Sequence, residues 1–397
     1  MKKVLSLLLT TMLIMQIPIC AYANDNSAVN KLKDSASLTM KESQMLSLIE
    51  KTVNENEKEI EILKSNGVFD DFLDEVNVKM EKYISENTDD IFEETKKWDI
   101  YPESTVFEIK ERAQDYLNKH FDGIEIGSDE FDAMVHAYLD NEDMGTSALV
   151  NENPDFGPLY LYMCIYSMYV LDKDNTTVEC YGAYQDDTDI ENLAMSDIAY
   201  TDGKENFIDT VTPQILSQYV QTYSTTSTAW PKMNGTKIQT YAQTYAKSYN
   251  TNYIGMDADC TNFASQALFY GSLPMTYTSS DKTTYGYIET TTRWFHFKTN
   301  ASKYSISTSW IRVVELYDYL SPHYAVYETS SGSNMTPYLN KGFLLQGKQL
   351  IGKYKHSVIV TINNGNVQYC AHSSDRKNES IQTFYNGFSK YRVVQTY

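Results

Sequence analysis

Cysteine is scarce in this 397-residue chain, which has five, one of them (Cys20) in a leader-like segment. The other four, Cys164, Cys180, Cys260 and Cys370, are too few to serve as a disulfide framework for a chain long enough to bury its own core. Two bridges stay open by arithmetic, and a Cys260 to Cys370 bridge would rule out thiol chemistry. Beyond the first residues no segment is apolar enough to span a bilayer, which argues against a transmembrane anchor. The six histidines include no His-Glu-x-x-His pair, so no metal and no other cofactor is expected. No repeat of fixed period occurs. Positive charge is short as well: 33 Lys and Arg against 53 Asp and Glu leave a net charge of −20, which makes nucleic acid a poor partner.

Met1-Lys2-Lys3, the apolar stretch Val4 to Ile19 and Ala21-Tyr22-Ala23 read as a secretory leader cleaved near Ala23. The expected product is secreted or associated with the cell wall. Charge divides the remainder. Residues 24–227 hold fifteen Lys and Arg against forty-four Asp and Glu, and residues 228–397 hold sixteen against nine, a balance of −29 followed by +7. A mildly basic segment suits an anionic cell wall, and the acidic half could dock on the basic half and restrain it. The expected organisation is a leader (1–23), an acidic and mostly helical region (24–150), a strand-rich unit with linker (151–227) and a catalytic domain (228–397).

Met45, Leu46, Ile49 and Val53 recur at helical spacing, and Ser104 precedes a second run through Val106, Ile109, Ala113, Tyr116 and Leu117. The alternating run from Pro158 to Asp172 predicts a strand, with Thr176 to Tyr184 as its hairpin partner. The breaker-rich residues 224–228 mark the boundary. Ile238, Tyr241, Ala242, Tyr245, Ala246 and Tyr249 then form one helical face.

Cys260 carries the chemistry. Phe263 with Ala267 and Ala264 with Leu268 are i, i+4 pairs and Gly271 is a natural stop, so Cys260 starts a helix. There the unsatisfied amide groups stabilise a thiolate, and a nearby imidazole would complete its activation. The plainer reading is a buried structural thiol, which the polar neighbours Asp259, Thr261 and Asn262 disfavour. His356 opens the strand run Val358-Ile359-Val360, and Asn363-Asn364-Gly365 leads into a second strand ending at His372. A three-residue loop closed by Gly365 predicts that Ile362 pairs with Asn366 and His356 with His372, both rings on one face. His372 would then orient His356, or be a satisfied strand-end residue. Asp257, Asp259 and His296 read as local capping and surface polarity. Trp294 and Trp310 could line a substrate groove, or belong to the core.

Asp259-Cys260-Thr261-Asn262-Phe263-Ala264-Ser265-Gln266, Ser309-Trp310, Leu316-Tyr317-Asp318-Tyr319-Leu320, His356 to Thr361, and Ala371-His372-Ser373-Ser374-Asp375 with Asn378 resemble the putative amidase domain of secreted bacterial proteins, from about Thr236 onward. The resemblance implies a relative of NlpC-like and CHAP papain-fold cysteine hydrolases. It assigns Cys260 as nucleophile, His356 as general base and His372 as third member, with Asp259, Asp375 and Asn378 in support. The nearest match to the Gly-Asp pair that enters the preceding strand in such hydrolases is Gly347-Lys348. The expected class is α+β, with a helix-start Cys packed on a small antiparallel sheet. The expected activity is hydrolysis of amide bonds in cell-wall peptides or peptidoglycan. A protein-directed protease or transpeptidase, and an inactive wall-binding or adhesion module, are the alternatives.

Overall fold

The computed structural model of the protein describes residues 57–139, 146–171, 190–223, 230–300, 303–373 and 375–397. The leader, the helix expected over Met45 to Val53, the strand expected over Thr176 to Tyr184, Cys180 and the boundary at 224–228 lie outside the described residues.

Helices come first: α1 (Glu57–Ser65), α2 (Phe69–Thr95), α3 (Val106–His120), α4 (Asp129–Leu139), α5 (Thr146–Glu152), α6 (Gly157–Tyr169), α7 (Met195–Thr210) and α8 (Thr212–Tyr223). The second predicted run is α3. Its N-cap is Thr105, one residue beyond the expected serine, and Thr105 forms a reciprocal capping box with Glu108.

The strand predicted from Pro158 is a helix, α6, in which every residue from Gly157 to Met168 is buried. Its alternation of tyrosine with apolar residues mimics a half-exposed strand. Tyr160 and Tyr166 face protein, however, and their hydroxyls are satisfied internally, Tyr160 by Gln349 at 2.9 Å and Tyr166 by Asp132 at 2.7 Å. A helix buried on all sides has no period to read.

The C-terminal segment is mixed. Helices α9 (Gly235–Tyr245) and α10 (Cys260–Tyr270) precede a small sheet of β1 (Gly286–Ile288), β2 (His296–Asn300) and β3 (Lys303–Ser307), in the order β1-β3-β2. Next come α11 (Thr308–Ile311), α12 (Val313–Leu320), β4 (Ala325–Thr329), α13 (Gly332–Met335), β5 (Leu344–Lys348), β6 (Tyr354–Ile362), β7 (Gln368–Ala371), β8 (Arg376–Ser380), α14 (Ile381–Gly387) and β9 (Lys390–Gln395). The larger sheet runs β4-β9-β5-β6-β7-β8, with every neighbouring pair antiparallel. The expected α+β class with a small antiparallel sheet is the one observed.

Both faces of this sheet are covered, which is why its central strands read as continuous apolar runs. On one face Leu344, Ile359, Cys370 and Val394 pack against Phe263, Ala264, Ala267 and Leu268 of α10 and Ile238 and Tyr241 of α9. On the other, Leu345, Val358, Val360, Tyr369 and Ala371 pack against Phe384 of α14 and Phe388 just after it. The first is the α10 face and the second the α14 face.

Candidate active site

Helix α10 begins at Cys260 and ends against Gly271, as the sequence predicted. The amide groups of its first turn point toward the end where Cys260 sits. Asp259 occupies the N-cap position but makes no side-chain cap bond. Its carboxylate works elsewhere: Oδ1 accepts from the Met256 amide at 3.1 Å and from Asn262 Nδ2 at 2.8 Å, and Oδ2 lies 2.6 Å from His372 Nδ1. Asp259 and His372 are both buried, at 0% and 1% exposure. The expectation of surface polarity for Asp259 and His296 is therefore corrected, because the loop before α10 folds over both.

His372 Nε2 lies 2.7 Å from the Tyr245 carbonyl oxygen. A carbonyl only accepts, so Nε2 carries a proton, and a second proton lies between Nδ1 and the Asp259 carboxylate. The ring stacks on Phe263 at 4.2 Å between centroids and meets Tyr249 at 4.6 Å. Tyr249 lies beyond the end of α9 rather than on its predicted face, and is half exposed. Burial, then the charges of Asp259, Asp375 and Asp257, raise its hydroxyl pKa.

His296 is a second buried imidazole nearby, its Nε2 accepting from the Ile254 amide at 3.3 Å. Burial lowers its pKa to about 4, Lys298 adds to the lowering and Asp259 opposes it. Among the described residues no group of three or more His, Cys, Asp or Glu is placed to hold a metal.

The observed register separates the two predicted histidines. Ile359 faces Cys370 and Val360 faces Tyr369, with a bulge before the Ile362 to Gln368 pair. Gly365 does adopt the left-handed conformation, at φ 91°. Pairing nevertheless starts two residues later than expected, at Gln368 rather than Asn366, and the bulge leaves a net shift of one residue, which moves side chains to the other face. His356 consequently lies on the α14 face, 6.0 Å from a parallel Phe388 ring and 6.1 Å from Phe384. The neighbour on the α10 face is Ser357, which the sequence reading passed over. It takes a 3.1 Å hydrogen bond from Thr261 Oγ1. Carrying the Ile359 to Cys370 register outward sets Ser357 across from His372. Thus Cys260, Asp259, Ser357 and His372 share one side of the sheet, and His356 does not.

Trp294 and Trp310 are fully buried and stacked at 4.3 Å, so neither offers a face to a groove. They brace α10 instead: Trp310 Nε1 donates to Asn262 Oδ1 at 3.0 Å and Trp294 Nε1 to Ser265 Oγ at 3.2 Å. Asn378 Oδ1 accepts from Gln243 of α9 at 3.0 Å and from Thr361 of β6 at 2.9 Å. Asp375 lies on the loop after His372 with φ 50°. Gly347-Lys348 ends β5 rather than entering it, and Gly342-Phe343 is the pair that leads in. Cys164, Cys260 and Cys370 are free thiols. Burial pushes Cys164 up to about 12 and raises Cys370 as well.

Fold and site together define an α+β domain in which a helix-start cysteine lies beside a buried imidazole–carboxylate pair over an antiparallel sheet. Residues 232–394 match the family model described as a putative amidase domain. The match spans Cys260, His356 and His372, agrees with the resemblance read from the sequence, and supports amide hydrolysis as the chemistry. No curated protein and no solved structure matches the chain.

Proposed function

We propose that this chain is an exported, cysteine-dependent amide hydrolase with a papain-like catalytic domain that acts on peptides of the bacterial cell wall. The observation that carries the reading is the buried His372–Asp259 pair on the residue adjoining Cys260, at the amino end of an 11-residue helix. The Cys260 thiolate attacks the carbonyl carbon, the C–N bond breaks as the departing amine takes a proton, and water hydrolyses the thioester. His372 is the imidazole on the Cys260 side of the sheet, and to take the proton-transfer role that resemblance gives to His356 its Nε2 must leave the Tyr245 carbonyl. Asp259 holds its orientation. The +7 balance of residues 228–397 favours an anionic wall over a neutral substrate.

Site-resolved iodoacetamide labelling from pH 5 to 9 tests the site. Cys260 is expected to label ahead of Cys164 and Cys370, whose burial keeps them protonated and covered. His372→Ala should slow Cys260 labelling at pH 7 by about tenfold or more, a typical size for loss of an activating partner. His356→Ala should leave it within about twofold. The reverse order for the two histidines would return the base to His356. Release of amine from purified peptidoglycan fragments, abolished in Cys260→Ala, tests the substrate.

A further inference from the structure

A chain of buried polar groups runs along the α10 face of the sheet to Cys260. Arg392, 1% exposed, is clasped between the rings of Tyr317 and Tyr354, with Cζ 3.6 and 3.9 Å from their centroids. Its Nε donates to Gln346 Oε1 at 2.7 Å. Gln346, itself fully buried, donates through Nε2 to the Val313 carbonyl at 2.9 Å and to Ser357 Oγ at 3.0 Å. Ser357 Oγ also takes the 3.1 Å bond from Thr261 Oγ1, which lies 3.7 Å from Cys260 Sγ.

The direction of this chain is fixed at one end. A guanidinium has no acceptor, so the oxygen of the Gln346 amide must face Arg392 and its NH2 must face Ser357 and Val313. That NH2 cannot accept, so Ser357 Oγ is always a receiver from Gln346, and its own proton is left to point elsewhere. While Cys260 is a thiol, Thr261 donates to Ser357 and accepts from S–H. Once Cys260 is a thiolate it can only accept. The Thr261 proton then turns to Sγ and the Ser357 proton turns to Thr261 Oγ1, while the Gln346 and Arg392 bonds stay as they are. Every group downstream of the arginine donates toward the sulfur.

We infer that Arg392, Gln346, Ser357 and Thr261 form a donor relay that positions the Thr261 hydroxyl to stabilise the Cys260 thiolate. The inference rests on Cys260 being the nucleophile. These are positioning residues, and they act on the ionised sulfur. A relay within a low-dielectric interior transmits polarity that water would screen.

The test compares site-resolved iodoacetamide rates at Cys260 in the full chain, with the thermal midpoint measured alongside. Thr261→Val keeps shape and removes the donor, and should slow labelling at pH 7 roughly tenfold, the fold-change of one hydrogen bond to a charged group. Thr261→Ser should restore the rate. Gln346→Glu presents an acceptor where the amide donated, so Ser357 turns its proton away from Thr261, and labelling should slow comparably. Wild-type labelling rates in Thr261→Val, or equal slowing in Thr261→Ser and Thr261→Val, would overturn the relay. Should Gln346→Glu lower the midpoint, the Thr261 pair decides. Failure of Cys260 to label in the unmodified chain would instead remove the nucleophile reading itself.

Discussion

At the scale of single residues, the same burial that shapes the site makes it sensitive to acid. His296 and His323 are both lowered from 6.5 to about 4 by burial, and His323 stacks on Trp230 at 3.6 Å. A histidine held neutral in the fold takes up its proton only on unfolding over that window. Between about pH 6.5 and pH 4 the unfolded chain therefore binds more protons, and stability falls as the pH falls. Above pH 6.5 the two groups contribute no slope. The summed loss is on the order of 3–4 kcal/mol, most of it from His296, after discounting the partly exposed His323. It should appear as a falling urea midpoint from pH 7 to pH 4, flattened in a His296→Gln, His323→Phe double variant. An unchanged slope in that variant would reject the assignment. At this scale the sequence was legible where chemistry is local. Cys260 at a helix start and Asp259 beside it could be read directly. Ser357 could not, since a serine next to a histidine in a strand announces nothing until the face is known.

Elements were legible in proportion to how one-sided their burial is. Helix α3 has one apolar face, on Val106, Ile109, Ala113 and Leu117, and its range followed from spacing. Helix α6 has no exposed face and was read as a strand. The β6–β7 hairpin was found, but its register turned on a bulge after Val360 that no residue type signals. The approach to β5 is equally constrained. Gly342, at φ +85°, lies so close to α9 that an added Cβ would stand 2.5 Å from the Gly235 Cα. Backbone cannot yield as a flexible side chain can, and a β-carbon is strained at that φ in any case. Gly342→Ala should destabilise the protein by about 1–3 kcal/mol or more, measured by denaturant titration. A change under about 0.5 kcal/mol would mean that the α9–β5 junction is looser than it looks.

Over the whole molecule, the N-terminal helices are built into the sheet rather than merely attracted to it. Asp202 of α7, 1% exposed, lies 3.2 Å from Lys348 Nζ and accepts from the Gly352 amide at 2.6 Å and from Asn87 of α2 at 3.3 Å. Tyr160 of α6 accepts from the Leu350 amide at 3.2 Å, and Lys355 reaches Ser167 at 3.4 Å. These contacts grip the turn between β5 and β6 just before His356 and Ser357. Burial pulls the Lys348 pKa down and Asp202 pulls it back, so removing the carboxylate strands a cation in the interior. Asp202→Ala is expected to cost about 3–5 kcal/mol by urea unfolding, with Asp202→Asn costing less because it keeps an acceptor for Gly352. A loss below about 1 kcal/mol would reduce the contact to a surface association. Such a buried junction also predicts that residues 228–397 alone are less stable than the full chain. Charge balance by itself pointed only to a separable acidic partner.

The sequence by itself determined the chemistry on offer: a helix-start cysteine, a histidine on β6 with a second just after β7, and an α+β C-terminal segment, because each rests on local spacing and residue type. Tertiary structure alone decided which histidine shares a side with Cys260, that Trp294 and Trp310 are core, and that Arg392 heads a chain of hydrogen bonds leading to the thiol. Those facts depend on a one-residue register and on contacts between residues far apart in the chain. A strand's period of two turns a single bulge into a change of face.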